Sequence, residues 1–336
     1  MSKLGYVAKC IRKMSFKGLF DTVGEVHKRS GKNRVGLFFD IVWCGLRYGA
    51  GYKDYALNEW WNLNGKQRKT FITRGINNAV IKKCNDPAYY HILKDKTEFS
   101  EYFGEYIRRG QINLAKASLE DFERFMSDRD VVIAKPFDEN CGRGVMKLEK
   151  KDFPSVKEMY DHIKQTNSLL VEEYIKQHSE ISRLYPLSVN TLRVVTIVSD
   201  DGTPHILYAF IRIGNGGRVV DNINNGGMAA PIDLETGVIN NVAFDKDSKY
   251  YDTHPYTGTK IVGHQIPMWD KVVETALSAA RVVPQLRYVG WDVAVTETGT
   301  LLVEGNQHPG HDILQMPPHV PDKIGMLPRY KMFINI

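Results

Sequence analysis

Through its first 84 residues the chain sets apolar and aromatic side chains at helical intervals, as in Leu37-Phe38-Ile41-Val42-Leu46 and Trp60-Trp61-Leu63, with no proline and no strand-like alternation. That spacing predicts a helical region over residues 1–84. Asn85-Asp86-Pro87 is a turn signal and marks a boundary. Beyond it the pattern predicts a helix from Asp95 to Arg109. A second starts at Ser118, with Asp121 placed in its first turn. The period then shortens. Val131–Lys135 is an apolar strand ended by Pro136, followed by a loop through Gly142, Arg143 and Gly144 and a returning strand, Val145–Leu148. A helix is expected at 155–166 and strands at 169–175, 192–198, 205–213, 228–232 and 237–243. A helix near 268–283 then leads into a hairpin whose arms are Tyr288–Val295 and Leu301–Asn306. Strands and helices mix without a βαβ rhythm, so the expected class is α+β around antiparallel or mixed sheets. The expected divisions are 1–84, 85–170 and 171–336.

The composition, 43% hydrophobic and 25% charged over 336 residues, is that of a globular chain of two or three sub-domains. No apolar run reaches membrane-spanning length, and the N-terminus lacks the apolar core and cleavage site of a secretory signal. Cys10, Cys44, Cys84 and Cys141 form no C-x-x-C pair, which fits reduced thiols in a cytoplasmic protein. Charge is unevenly spread: residues 1–100 hold 19 Lys and Arg against 8 Asp and Glu, a net +11, and the remainder is net negative. Such a basic head suits an anionic membrane surface or an acidic partner; no nucleic acid is expected.

The hairpin carries the first candidate chemistry. Glu304 and Asn306 stand two apart and so share a strand face, and with Asp292 they form an oxygen-donor set suited to Mg²⁺. Lys135 precedes a glycine-containing loop whose backbone N–H groups suit phosphate oxygens. Neither G-x-x-x-x-G-K-[ST] nor a G-x-G-x-x-G opening a helix occurs. The strand Leu169–Ile175 can offer backbone groups and an apolar cover to an adenine. Residues 214–227 form a polar, glycine-dense loop in which Asp221 and Asn222 can bind a polar acceptor. His308, His311 and Asp312 lack a third nitrogen or sulfur ligand and are assigned a loop role beside the hairpin.

In chain order, Lys96, Lys135 with its glycine loop, Val171-Glu172-Glu173-Tyr174-Ile175, and Asp292, Glu304 and Asn306 followed by Pro309-Gly310 resemble the ATP-grasp superfamily over residues 86–316. More narrowly, Asn190-Thr-Leu-Arg193, Asp221-Asn222, Gly226-Gly227, Pro231-Ile-Asp233 and Gly305–Gly310 resemble the sugar-transfer associated ATP-grasp group, linked to polysaccharide biosynthesis. The resemblance implies two α+β sub-domains clasping ATP behind a helical N-terminal region. Lys96, Lys135, Gly142, Arg143 and Gly144 would meet the phosphates; Glu172, Glu173, Tyr174 and Ile175 the adenine; Glu180 the ribose. Asp292, Glu304 and Asn306 would hold two Mg²⁺ ions, with Glu304 bridging.

The implied chemistry is attack of a substrate carboxylate on the γ-phosphate, giving an acyl phosphate that an amine or other nucleophile then opens. Lys135 and Arg193 would be catalytic, and Arg193, Arg212, Asp221, Asn222, Gly226 and Gly227 would serve the substrates, one a small or sugar-linked carboxylate. Several ATP-grasp ligases carry an arginine two residues before the first metal aspartate, where this chain has Gly290. The alternatives are a kinase acting on a hydroxyl, or a silent ATP-binding accessory that docks on glycosyltransferases through its basic head.

Overall fold

The computed structural model describes residues 15–136 and 144–336. Cys10, Cys141, Gly142 and Arg143 therefore lie outside the described residues. The chain divides into two compact units, one built from the residues up to Asn85 with 199–201 and 308–336, the other from 86–198 and 202–307.

In the first unit the predicted periodicity becomes α1 (Phe16–Ser30) and α2 (Arg34–Tyr48), each opened by a capping side chain, Ser15 and Asn33, and closed by a left-handed glycine, Gly31 and Gly49. Their inner faces bury Leu19, Val23, Val26, Leu37, Ile41 and Cys44 against Trp60 and Trp61. Further helices follow, among them α3 (Tyr52–Leu57) and α4 (Arg74–Cys84).

The C-terminal residues group here and not with the rest of 171–336, as the sequence division had them. Polar anchors account for this. Gln315, fully buried, accepts from the backbone N–H of Ile72 and of Met326 and donates to the carbonyls of Ile72 and His311, while Asn77 donates to the Pro309 carbonyl. His311 lies 3.0 Å from Asp54, whose carboxylate also accepts from the backbone N–H of Gly51 and Arg74. His311 thus helps to organise the helical unit.

The second unit holds two antiparallel sheets. The smaller has the order β1-β4-β2-β3, from β1 (Gln111–Asn113), β2 (Val131–Lys135), β3 (Met146–Glu149) and β4 (Leu170–Glu173). α5 (Lys96–Ile107) precedes it, capped by Asp95; α6 (Leu119–Phe125) starts in a Ser118–Asp121 capping box; and α7 (Val156–Thr166) packs Met159 and Ile163 onto Val132, Ala134 and Val171.

The larger sheet has the order β11-β10-β5-β6-β7-β8-β9. Its strands are β5 (Leu192–Val198), β6 (Pro204–Ile213), β7 (Met228–Ile232), β8 (Ala243–Asp245), β9 (Tyr250–Tyr251), β10 (Tyr288–Val295) and β11 (Thr300–Asn306). One face packs Val194, Val289, Trp291 and Val293 against α5 and against α8 (Trp269–Ala279), with the Trp291 ring 5.3 Å from Phe103. The strand expected at 237–243 is instead two isolated bridges, Ile232–Ile239 and Val238–Gln265, because the chain turns at Gly237, where a side chain would collide with Trp269.

Candidate active site

Strand register assembles the charged face of the larger sheet. Asp292 stands opposite Glu304 on β11 and opposite Arg193 on β5, and directly opposed residues in antiparallel strands share a face. Gly290 opposes Asn306, so period two brings Asn306 to the same face as Glu304. A one-residue bulge beside the Asp292–Glu304 pair interrupts the ladder at this point. Arg212, two residues beyond Phe210, which pairs with Arg193, joins them from β6. The expected Asp292, Glu304 and Asn306 set is therefore brought to one strand face, together with Arg193 and Arg212.

Asp292 is fully buried. It accepts from the Arg193 Nε and, at 3.0 Å, from the Arg193 Nη2, and it also accepts from Arg212. Burial alone would raise its pKa, but the two guanidinium groups overcome this and hold the carboxyl well below the usual range. Arg212 is held charged by Asp221 and Asp292, and its Nε donates to the Thr191 hydroxyl at 2.9 Å.

Glu304 differs. Its side chain is 57% exposed and lies 3.8 Å from Arg193. The protein walls around it and the neighbouring Asp292 carboxylate push its carboxyl up to about 7. Two carboxylates this close, one partly open, form a site whose electrostatic cost a divalent cation relieves. Among the described residues no three His, Cys, Asp or Glu side chains converge as metal ligands.

Gly290 explains the room this cluster needs. A Cβ there would stand 3.0 Å from the Arg193 Cδ and 3.4 Å from its Nη1. The guanidinium from β5 thus lies over the position where several ATP-grasp ligases place an arginine on β10.

Asp221 is buried behind Arg212, 3.5 Å from its Nε, and accepts from the Thr191 N–H and hydroxyl at 2.9 and 2.5 Å. This ties the middle of the polar loop to Thr191, the residue before β5. Asn222 accepts the Gly227 N–H through its backbone carbonyl, and Gly226 adopts a left-handed turn. Gly227 is pressed so closely on the Asp221 carbonyl that a Cβ would come within 2.3 Å. These residues set the loop's path, and His254 fixes its first residue by bonding the Gly214 carbonyl at 2.8 Å.

A second charged cluster lies on the smaller sheet. Glu172 is buried and receives Lys135 at 2.6 Å, Gln111 at 2.8 Å and Arg109 at 3.2 Å. Register accounts for the group, since Gln111 and Ile133 both oppose Glu172 and Lys135 lies two residues beyond Ile133. Burial would raise the Glu172 carboxyl; Lys135 and Arg109 instead bring it to about 2. Lys96, first residue of α5, donates to the Pro136 carbonyl at the end of β2, and Gly144 takes the left-handed turn where a Cβ would strike Pro136 at 2.8 Å.

Other expected residues are placed elsewhere. Glu173 alternates to the opposite face, accepting the Gly110 N–H at 3.0 Å and facing Arg129 at 3.6 Å. Tyr174 lies under the Lys147 ammonium, Ile175 is half-buried, and Glu180 pairs with Arg183 at 2.9 Å on the short helix Ser179–Leu184. Sequence reasoning missed Arg109, which bonds Glu172 and also donates to the Leu302 carbonyl on β11 at 2.6 Å, linking the two sheets. No motif marks it, since its partners come from distant strands.

Two antiparallel sheets, one carrying a lysine and buried glutamate and the other a face of paired carboxylates, define an ATP-grasp fold. The chain belongs to the sugar-transfer associated ATP-grasp family, whose model matches residues 75–329. No curated protein sequence matches it. Among solved structures it is similar to the ATP-grasp ligase PsnB bound to precursor peptide PsnA2 and AMPPNP, at 15% identity over 74% of this chain and 62% of that one, with a TM-score of 0.41. It is also similar to the D-alanine–D-alanine ligase of Bacillus anthracis, at 15% identity over 81% and 76% with a TM-score of 0.42. A third is the biotin carboxylase of Campylobacter jejuni bound to an ATP analogue, at 13% over 66% and 41%, again with a TM-score of 0.42. The chain thus spans less than two thirds of the length of PsnB.

Proposed function

We propose that the protein is a cytoplasmic, ADP-forming ligase that uses ATP and Mg²⁺ to activate a carboxylate as an acyl phosphate and transfer it to a nucleophile. The product class is an amide on a sugar, amino acid or cell-envelope precursor. The observation that carries this is the meeting of Arg193 and Arg212 on Asp292, beside the open carboxyl of Glu304.

Asp292, Glu304 and Asn306 would hold Mg²⁺, which when bound neutralises phosphate charge. Arg193 and Arg212, fixed by buried carboxylates, offer preorganised positive charge to the transferring phosphoryl group or the oxyanion that follows. Lys135 and Lys96 approach the end of β2 where the glycine loop begins, which suits them to phosphate oxygens. Positioning and charge neutralisation are the main work a phosphoryl-transfer site must do.

The proposal is tested by product analysis. Purified protein with ATP, Mg²⁺ and candidate acids and amines should release ADP and phosphate only when both substrates are present. A phosphorylated hydroxyl product would replace it with a kinase, and AMP formation would overturn it. Gly290→Ala supplies a sharper check. The added methyl must push Arg193 aside by a few tenths of an ångström, so turnover is expected to fall roughly tenfold with little change in melting temperature. Unchanged turnover would remove Arg193 from phosphoryl transfer.

A further inference from the structure

The first two helices bury only one side of themselves. Phe16 and Phe20 on α1, and Val35, Phe39, Trp43 and Leu46 on α2, are 50–65% exposed. On α2 the spacing of four, four and three residues places its members in one stripe along the helix. Phe20 stacks on Phe38 at 5.7 Å and Phe38 meets Phe39 edge-on at 5.5 Å, so the stripes of the two helices join into one aromatic patch. Water is a poor partner for so many clustered rings, and such patches on a folded chain mark a docking surface.

The rim of the patch is basic. Lys17 adjoins Phe16, Arg34 adjoins Val35, and Arg47 adjoins Leu46. Arg47 also lines an open pocket of about 610 Å³ together with Lys66 and Lys69. None of these five cations forms an ion pair among the described residues, whereas of the acids on the same helices Glu25 and Asp40 are engaged by Arg29 and Arg68 and only Asp21 is not. Residues 15–85 carry thirteen Lys and Arg against five Asp and Glu. No described helix is long and apolar enough to cross a membrane. Two amphipathic helices with aromatic faces and cationic flanks match an element lying in the lipid headgroup layer, where anionic phosphates attract the lysines and arginines.

We propose that the α1–α2 face seats this protein on an anionic lipid bilayer, with Phe16, Phe20, Phe39 and Trp43 at the boundary of headgroups and acyl chains and Arg47, Lys66 and Lys69 against lipid phosphates. The proposal is independent of the chemistry at the larger sheet. Charge selects the occupant: a protein surface of ordinary composition would not call for a rim of unpaired cations around the rings.

Trp43 supplies a built-in reporter, because Trp60, Trp61, Trp269 and Trp291 are all buried. The full chain is mixed with vesicles of phosphatidylglycerol or of phosphatidylcholine. The expected result is co-sedimentation with the anionic vesicles, a blue shift of Trp43 emission, and quenching by brominated acyl chains. Salt at about 0.5 M should weaken the binding. The double variant F39S/W43S should lose roughly tenfold or more in partitioning, and K66E/K69E should lose the preference for anionic lipid, each with an unchanged thermal melt. Failure of the full chain to bind phosphatidylglycerol vesicles would overturn the proposal, as would equal binding to phosphatidylcholine. A dimer in solution that F39S/W43S dissociates, without vesicle binding, would assign the face to a second copy of the chain instead.

Discussion

Asp292→Ala is expected to cost about 3–5 kcal/mol of folding stability and to reduce ATP turnover roughly a hundredfold or more. Asp292 has no exposed surface and receives both Arg193 and Arg212. Without it, Arg212 keeps the Asp221 carboxylate at 3.5 Å and the Thr191 hydroxyl, but Arg193 keeps only Glu304 at 3.8 Å. Each guanidinium group then keeps only a more distant carboxylate in place of the close buried one, and breaking a buried ion pair by removing one partner is strongly destabilising. Asp292→Asn separates the two effects. Its amide retains shape and one acceptor, so stability should recover in part while turnover stays low. Urea unfolding of the two variants beside an ADP-release assay measures both quantities. A loss below about 1 kcal/mol in Asp292→Ala would show that the arginines find other partners, and undiminished turnover would remove the carboxylate face from the chemistry.

The division between what was legible in the chain and what was not follows the range of each interaction. Strand alternation alone places Glu304 and Asn306 on one face, a local consequence of period two, but Asp292 comes opposite Glu304 only through the bulge beside Val293, since the register set by Val295 and Thr300 would otherwise put Val303 there. The Ser118–Asp121 cap and the helices of the N-terminal region were equally readable, since their causes lie within a few residues. Arg109 was not readable, because it bonds Glu172 63 residues away and Leu302 193 residues away. Nor was the place of residues 308–336, which rests on distant polar anchors such as the buried Gln315 amide reaching the backbone of Ile72 and Asn77 reaching the Pro309 carbonyl. Glu172 and Glu173 mark the middle ground. Alternation predicts that they point apart, yet only tertiary structure assigns Glu172 to the lysine side. Gly290 is the most instructive residue, since its meaning lies in the Arg193 side chain from the adjacent strand that fills the space above it.

Glu172 gives the second large effect, and its sign can be worked out from charge. The carboxyl titrates near 4.5 when unfolded and is brought to about 2 in the folded protein by Lys135 and Arg109, against the opposing effect of burial. A carboxyl whose folded value is depressed contributes stability that is fully present above the unfolded value and lost as pH falls toward the folded one. The contribution is about 3 kcal/mol, and it should disappear between pH 4.5 and 2. Glu172→Gln should therefore flatten the acid limb of the stability profile in that window while lowering stability at neutral pH. Glu172→Ala should cost more, because Lys135, Arg109 and Gln111 all lose their common acceptor. Denaturant melts from pH 3 to 7 on the three proteins would decide the matter, and an acid limb unchanged in Glu172→Gln would assign the loss of stability to another carboxylate. The same substitution bears on nucleotide binding. Glu172 fixes the Lys135 ammonium at 2.6 Å and, through Arg109, joins the smaller sheet to the Leu302 carbonyl of β11. If Lys135 meets the phosphates, releasing it should weaken ATP binding roughly tenfold even under conditions where Glu172→Gln is fully folded.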